Sequence, residues 1–190
     1  MGSWHWIDYL ADYRRYDPIL FDFLTVATRF MTDVTIGRDE RWDYKYIGLP
    51  QYVRGYDRQN FYSYSCGAFG SVTTNCNAQS LLGSRIAVAN AELRFPVINR
   101  LELGILPIAL PPVEGAFFYD AGVAWSADTR LQLRTPKDPA ASPNVRYPYR
   151  SYGVGIRVNL FNYAVLRWDY AKPVSIDHKP LWVFSIGPNF

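Results

Sequence analysis

The amino-acid sequence predicts an all-β protein, a transmembrane antiparallel up-and-down β-barrel. Aromatic residues make up 17% of its 190 residues and charged residues only 19%, whereas ordinary soluble domains carry roughly 25% charged residues. No stretch approaches the roughly 18 uninterrupted apolar residues of a spanning helix. Apolar and polar residues instead alternate with a period of two, which is typical of strands that face lipid on one side and a polar lumen on the other.

The alternation occurs in seven segments, which are predicted as strands: 4–16, 24–30, 84–95, 117–125, 151–160, 164–170 and 182–190. The first is the noisiest, although Tyr13 and Arg14 already fall on opposite faces. In the second, Phe30 opposes Arg29, and in the third a row of alanines opposes Glu92. Each of these strands therefore has an apolar face and a charged face.

The last four strands repeat this pattern more clearly. Aromatic residues oppose Asp120 in the fourth, and branched aliphatic residues oppose glycines and Arg157 in the fifth. In the sixth strand Trp168 opposes Asp169, and the seventh alternates large apolar residues with small ones. Only 161–162 separates the fifth strand from the sixth, which indicates a short hairpin turn.

The charged faces indicate a polar lumen. One side of the predicted sheet would carry Arg14, Arg29, Glu92, Arg94, Asp120, Arg157, Arg167 and Asp169. The other side carries large aromatic and small aliphatic residues, which suits contact with lipid. A soluble lipocalin-like barrel is the alternative, and it would place the aromatic face inside.

The connections predict a polarity for the sheet. Segments 37–82 and 126–150 are long, polar and rich in Gly, Pro, Asp and Arg, so they are predicted as external loops together with 173–181. The turns at 17–20 and 161–162 and the longer segment 96–113 would then be periplasmic, as would the C-terminus. Residues 1–190 form one predicted domain.

The two cysteines favour an oxidising compartment, and the start of the chain bears on how it would be exported. The N-terminus lacks the charged and apolar regions of a signal peptide, which fits a mature chain or, given its Met-Gly-Ser start, an excised piece. Cys66 and Cys76 lie in a turn-rich stretch, and a disulfide between them is expected in an oxidising compartment, with two free thiols as the alternative.

Several kinds of site are not expected. The net charge of +3 is too small for nucleic-acid binding. His5 and His178 are far apart, so no metal or cofactor is expected. Ser175, Asp177 and His178 are the residue types of a hydrolase triad, but such close positions cannot adopt triad geometry. An enzyme is therefore not expected.

Three stretches resemble the BamA/TamA/FhaC-type outer-membrane assembly and translocation barrel superfamily, the bacterial surface antigen family. The first runs from Gly48 to Tyr56 and contains Val53-Arg54-Gly55-Tyr56, which resembles the tetrapeptide at the tip of a loop that folds back into the barrel. The second contains Phe118, Asp120 and Gly122, similar to the strand motif that receives that loop. The third is the aromatic C-terminus, where Trp182, Phe184, Ile186 and Phe190 resemble the assembly signal of such barrels.

The pairing of Arg54 with Asp120 also has a physical basis. A guanidinium in a narrow lumen needs acceptors, and a carboxylate can accept two parallel hydrogen bonds from it. Gly55 permits a tight loop tip, and Gly122 leaves room for the loop against the wall. The alternative is a solvated Arg54, with Asp120 paired to Arg94 or Arg157.

The resemblance implies a sixteen-stranded barrel, whereas the sequence shows about seven or eight strands. Bacterial barrels close with an even number of strands. Either an eighth strand lies in 100–110 or 42–54 and a small barrel closes, or the chain is the C-terminal half of a larger barrel. In a closed eight-stranded barrel the lumen would be too full for the loop, and Arg54 would be expelled.

The resemblance also implies a function. It is non-enzymatic assembly, insertion or translocation of outer-membrane proteins by strand augmentation, with the bilayer, lipopolysaccharide and client β-barrel chains as partners and self-association through edge strands as a further possibility. The alternatives are a passive membrane anchor or narrow pore and, more weakly, an outer-membrane hydrolase.

Overall fold

The computed structural model describes residues 4–20, 23–56, 78–98, 101–102, 109–134, 144–160, 163–175 and 179–188. These residues form one antiparallel sheet of seven long strands that follow each other in chain order. The strands are β1 (Trp6–Ile19), β2 (Leu24–Gly37), β3 (Arg85–Ile98), β4 (Val113–Trp125), β5 (Tyr149–Leu160), β6 (Ala164–Pro173) and β7 (Leu181–Pro188). The all-β, antiparallel prediction is confirmed.

Strand lengths range from 8 residues in β7 to 14 in β1. A tilted strand needs roughly 9–11 residues to cross the hydrocarbon core of a bilayer, so β1 to β6 are long enough to span it and the described part of β7 is one residue shorter. In the described part of the chain, no helix has both the length and the apolar character needed to cross a membrane.

The two faces of the sheet differ as the alternation predicts. On the outer face the aromatic side chains are exposed, Trp182 to 71% and Phe184 to 55%. Neighbouring rings pack along this face, and Trp168 lies 5.1 Å from Phe184 between centroids. On the inner face Asp120 and Asp169 are buried. The lipocalin-like alternative, with its aromatic face inside, is therefore wrong.

The sheet is open among the described residues, because no pairing joins β1 to β7. Seven alternating strands make β1 and β7 run in the same direction, so closure would require a parallel pair in an otherwise antiparallel sheet. Among the described residues of 100–110 and 42–54, no eighth strand joins the main sheet. The described strands there are two-residue pairs outside it: Leu101–Glu102 pairs with Ala109–Leu110, and Lys45–Tyr46 pairs with Leu82–Gly83.

Several strand ends differ from the sequence prediction, since β2 continues past 30 to Gly37 and β4 begins at Val113 instead of 117. The first turn lies later than 17–20, because β1 continues through Pro18 to Ile19. Proline lacks an N–H, but β1 is an edge strand, where a missing donor is tolerated. The third strand extends past Pro96 to Ile98, with an irregular register at that point. The other short turn matches the prediction, with Tyr163 N donating to Leu160 O at 3.0 Å.

The connections alternate between the two ends of the sheet. The loop after β4 contains a short parallel pair, Arg130–Leu131 with Val145–Arg146. The loop after β2, predicted as 37–82, contains two 3-10 helices, Glu40–Trp42 and Ala78–Leu81. The described residues of the loop after β2 lie against the inner face of the sheet, because four of them belong to the main buried cluster. The cluster contains Met31, Ile47, Val53, Tyr56, Leu81, Ile86, Val88, Ala124, Tyr147 and Tyr149.

Candidate functional site

The tip of the loop after β2 turns sharply before it reaches the inner face of the sheet. Tyr52 N donates to Leu49 O at 2.8 Å, and Val53 N donates to Ile47 O at 3.2 Å. Gly55 then adopts φ +88°, a left-handed conformation that residues with a side chain rarely adopt. These turns direct four consecutive buried residues, Val53 to Tyr56, towards the sheet.

Arg54 binds Asp120 on β4 through the edge of its guanidinium that carries Nε and Nη2. Its Nε lies 2.7 Å from Asp120 Oδ2, and its Nη2 lies 2.8 Å from Asp120 Oδ1. The backbone N–H of Arg54 also donates to Asp120 Oδ2 at 3.2 Å. The Arg54 side chain is 3% exposed and that of Asp120 0%. The contact between these two residues is therefore a buried, bidentate ion pair, the geometry that favours Arg over Lys.

Two further carboxylates share the same guanidinium. Arg54 Nη2 lies 3.0 Å from Glu92 Oε1 on β3, and Arg54 Nη1 lies 3.4 Å from Asp169 Oδ2 on β6. The ring of Phe118 lies on the remaining side, with its centroid 3.5 Å from Arg54 Cζ. We call Arg54, Glu92, Phe118, Asp120 and Asp169 the tip cluster. It joins the loop tip to three strands and surrounds the buried cation with acceptors and an aromatic face.

Asn90 on β3 fixes both partners of this contact. Its Nδ2 donates to Asp120 Oδ1 at 2.8 Å and to the carbonyl oxygen of Tyr52 at 2.7 Å. One amide therefore positions the carboxylate and the backbone that approaches it.

Val53 packs where Gly122 leaves space on the inner face of β4. A Cβ at Gly122 would lie 2.5 Å from Val53 Cγ2, far closer than van der Waals contact. Val53 is fully buried. The glycine therefore shapes a recess for this side chain, as the sequence predicts.

Tyr56 connects the loop to the far side of the sheet. Its hydroxyl donates to Arg150 O at 2.5 Å and accepts from Ser175 N at 3.1 Å. Its buried ring packs edge-on against Tyr149, with centroids 5.3 Å apart. Tyr46 Oη donates to the carbonyl oxygen of Tyr56 at 2.5 Å. All four residues of the tetrapeptide thus make specific contacts with the inner face or the strand ends.

Burial and charge change the acidity of two loop groups. Burial opposes the charge on Arg54, but Asp120, Glu92 and Asp169 outweigh it and raise the pKa of Arg54 above its ordinary value. Burial also raises the pKa of Tyr56, although hydrogen bonds from Ser175 act in the opposite direction. Arg54 therefore stays charged and Tyr56 stays neutral at physiological pH.

A second set of charges holds the same loop near its beginning. Lys45 Nζ lies 2.6 Å from Asp43 Oδ2, 3.2 Å from Asp33 Oδ1 and 3.5 Å from Asp8 Oδ1. It also donates to Thr35 Oγ1 at 2.7 Å. We call these five residues the root cluster. It is much more open than the tip cluster, with the side chains of Asp8 and Asp43 48% and 36% exposed.

Other predicted contacts have different outcomes. Asp120 does not pair with Arg94 or Arg157, since both of these bind Glu92 instead, so that alternative is wrong. Ser175 Oγ accepts from Arg150 N at 3.0 Å, a structural contact at the loop end. Asp177 and His178 lie outside the described residues.

The C-terminal signal is described only in part. Trp182, Phe184 and Ile186 lie on the exposed outer face of β7, whereas Phe190 lies outside the described residues. Cys66 and Cys76 also lie outside them, so the structure gives no support for the disulfide, which stays a prediction. Among the described residues no group of three metal-binding side chains comes together.

Sequence reasoning missed the sharing of Arg54 among three carboxylates and the role of Asn90. Glu92 and Asp169 were placed on the charged face, but their common partner depends on strand register across β3, β4, β5 and β6. The sequence signal that could have indicated this is the alternation of side chains between the two faces of each strand. It puts Asn90, Glu92, Asp120 and Asp169 on the same face of the sheet.

A comparison with family models completes this description. The model of the Omp85 superfamily domain matches residues 4–190, almost the whole chain. No curated protein matches the chain.

Proposed function

The chain belongs to the Omp85 superfamily of bacterial outer-membrane proteins, and on this premise we propose that it assists the assembly, insertion or translocation of other outer-membrane β-barrel chains. The mechanism we propose is β-augmentation, in which an exposed strand edge pairs with an incoming strand. The process is non-enzymatic. The partners would be the lipid bilayer, lipopolysaccharide and client barrel chains, and the C-terminus would be periplasmic.

The observation that carries this proposal is the free edge of β7. Among the described residues β7 pairs only with β6, so its outer backbone groups have no strand partner. In lipid an unpaired N–H or C=O costs several kcal/mol, so a strand that satisfies these groups would be bound strongly. The edge of β1 is free in the same way, and the two edges also offer a route to self-association.

The packing of the loop tip supports an edge mechanism over conduction through the sheet interior. Arg54 and Tyr56 tie the loop to β4, β5 and the end of β6. The inner face is therefore covered by this loop, and the edges remain the exposed backbone. A rigid inner face would also keep the sheet from collapsing when an edge opens or exchanges its partner.

Folding of a client barrel into liposomes tests the activity. We expect liposomes that contain the chain to fold an urea-unfolded client barrel faster than liposomes that contain an unrelated small barrel. Equal rates would contradict the proposal and favour the alternative, a passive membrane anchor or narrow pore. Lipid hydrolysis that survives substitution of both histidines would be needed to revive the hydrolase alternative.

Photo-crosslinking tests the mechanism separately. A photoreactive residue at Ile186 on β7 should capture the client during folding. The matched control is Phe117 on β4, because both residues lie on the outer face, 64% and 53% exposed, but β4 has a strand on each side. Equal capture at the two positions would show contact with the lipid-facing surface and would contradict edge pairing.

A further inference from the structure

A small cavity lies between the loop tip and the inner face of the sheet. Its volume is about 60 Å³, and residues of β1, β2, β3, β5, β6 and the loop line it. Six of the side chains around it are arginines: Arg14, Arg29, Arg54, Arg94, Arg157 and Arg167. Glu92 is the only carboxylate among the described lining residues. Arg14 and Arg29 both pair with Asp12 just outside the lining, so the excess positive charge of the cavity lies deeper, around Glu92.

Glu92 alone cannot neutralise the arginines that contact it. Its carboxylate lies 3.0 Å from Arg54 Nη2, 2.9 Å from Arg94 Nη2 and 2.5 Å from Arg157 Nη2. A carboxylate carries one negative charge, so three guanidinium groups share a single counter-charge at this point. Asp120 and Asp169 offset Arg54 from the other side, whereas Arg94 and Arg157 have Glu92 as their only carboxylate contact among the described residues.

Arg157 supplies an independent sign of a missing acceptor. The residue is 7% exposed, and its Nε is buried without a hydrogen-bond partner among the described residues. Glu114, which lies opposite Arg157 in the strand register, is exposed and does not line the cavity. A buried donor without an acceptor is unfavourable, so a bound oxygen acceptor would complete this site.

We propose that the cavity binds an oxyanion of the phosphate class, held by Arg94 and Arg157 with the other arginines around it. The guanidinium fork matches the geometry of phosphate oxygens. A volume of about 60 Å³ is roughly twice the 30 Å³ share of one liquid water, enough for one such group but not for an acyl chain.

The ligand would enter from the side of β1. Side-chain exposure increases from 3% at Arg54 to 19% at Arg29 and 29% at Arg14. Arg29 also donates to the carbonyl oxygen of Gln51 at 2.8 Å, so a residue of the entry side is tied to the loop. The site is made of inner-face side chains, whereas the free edges of β1 and β7 offer backbone groups, so it does not depend on the proposed function.

Titration calorimetry with inorganic phosphate tests the site in the full chain. The chain is folded in an uncharged maltoside detergent, in a buffer without other oxyanions, and folding of every variant is checked by heat-modifiable gel mobility. We expect saturable binding that weakens about tenfold in Arg157→Gln and in Arg94→Gln, as for the loss of one charge-assisted hydrogen bond. Arg15→Gln is the matched control, since that side chain is 62% exposed and pairs with Asp17 away from the cavity; it should bind phosphate as the unchanged chain does.

Glu92→Gln should change the affinity for phosphate in the opposite direction from the two arginine substitutions. Removing the lone carboxylate of the cavity should tighten phosphate binding several-fold, because an oxyanion then meets no like charge. A merely structural role of the arginines would not produce this gain. The proposal is overturned if the folded chain shows no saturable binding, or if Arg157→Gln and Arg94→Gln both fold and bind as the unchanged chain does.

A second arm identifies the source of the phosphate group. Phosphatidic acid added to the micelles should compete with inorganic phosphate if a lipid headgroup can reach the cavity from the β1 side. Without competition, the ligand is a soluble phosphate. Both outcomes support the shared chemistry, because either source presents the same phosphate group to the arginines.

Discussion

The tip cluster and the root cluster attach the same loop to the same sheet, but they do so in different environments. Each places one cation among three carboxylates. At the tip, the side chains of Arg54 and Asp120 are 3% and 0% exposed, whereas at the root Lys45 is 13% and Asp8 48% exposed. Water screens the root, so its pairs contribute little. The charges of the tip are buried away from water and depend on their ion-pair partners, so removing one of them has a large effect.

The largest expected effect is that of removing the cation of the tip cluster. Arg54→Met would leave Asp120, Glu92 and Asp169 without their common partner and should lower the free energy of unfolding by about 3–5 kcal/mol. Urea unfolding in detergent micelles measures this loss of unfolding free energy. Arg15→Met, on the exposed part of β1, should change it by less than about 1 kcal/mol. Similar losses in the two variants would remove the distinction between tip and surface.

The next effect concerns the recess for Val53. Gly122→Ala places a Cβ 2.5 Å from Val53 Cγ2, and overpacking of this kind costs about 1–3 kcal/mol. Gly187→Ala is the control, because its Cβ would meet only Arg167 Nη2 at an ordinary 3.4 Å. Adding Val53→Ala to Gly122→Ala should restore part of the loss. If it restores none, the loop does not lie in this recess.

Tyr56→Phe tests the link between the loop and the strand ends. The change removes one hydrogen bond to Arg150 O and leaves Ser175 N without its acceptor, which should cost about 1–2 kcal/mol. Tyr152→Phe, at an outer-face residue that is 52% exposed, should change stability by less than about 0.5 kcal/mol. Protease digestion of the loop, measured beside unfolding, should become faster in Tyr56→Phe only.

The smallest effect is expected at the root. Lys45→Met should cost no more than about 1 kcal/mol, and salt should reduce that cost further. Hydrogen bonds from Lys45 and Thr35 lower the pKa of Asp43 below its ordinary value. Because the pKa of Asp43 is lower in the folded chain than in the unfolded chain, its ionised carboxylate stabilises the fold at pH values above the unfolded pKa. This stabilisation is lost as the pH falls through the pKa of Asp43 in the folded chain. The free energies of unfolding of the unchanged chain and of Lys45→Met should therefore converge as the pH falls below about 4. A difference between them that grows at low pH would contradict this expectation.

The sequence alone predicted the sheet and its two faces because alternation is a local signal. The positions of Trp168 and Asp169 on opposite faces follow from their adjacency in a strand. The turn after β1 was misplaced because Pro18 indicates a turn locally, whereas its tolerance on an edge strand depends on which strands are neighbours. A two-residue strand such as Lys45–Tyr46 is too short to show an alternation of apolar and polar residues. The sequence therefore could not indicate whether 42–54 contains such a short strand or a full strand of the sheet.

The candidate site was predicted in part. Arg54 and Asp120 were paired through the resemblance and through the need of a buried guanidinium for acceptors. The third and fourth partners, Glu92 and Asp169, required the register of β3 and β6 relative to β4, which is set by long-range pairing. Likewise, the Arg157 Nε without an acceptor depends on the positions of all its neighbours, which no sequence period specifies.

The most direct test of the account is the coupling between Arg54 and Asp120. A double-mutant cycle with Arg54→Met, Asp120→Asn and both together, read as free energies of unfolding in micelles, isolates their interaction. We expect a coupling of about 1.5–3 kcal/mol, so that Asp120→Asn costs far less once Arg54 has been removed. Additive losses, with a coupling below about 0.5 kcal/mol, would contradict the claim that this buried pair holds the loop against the sheet.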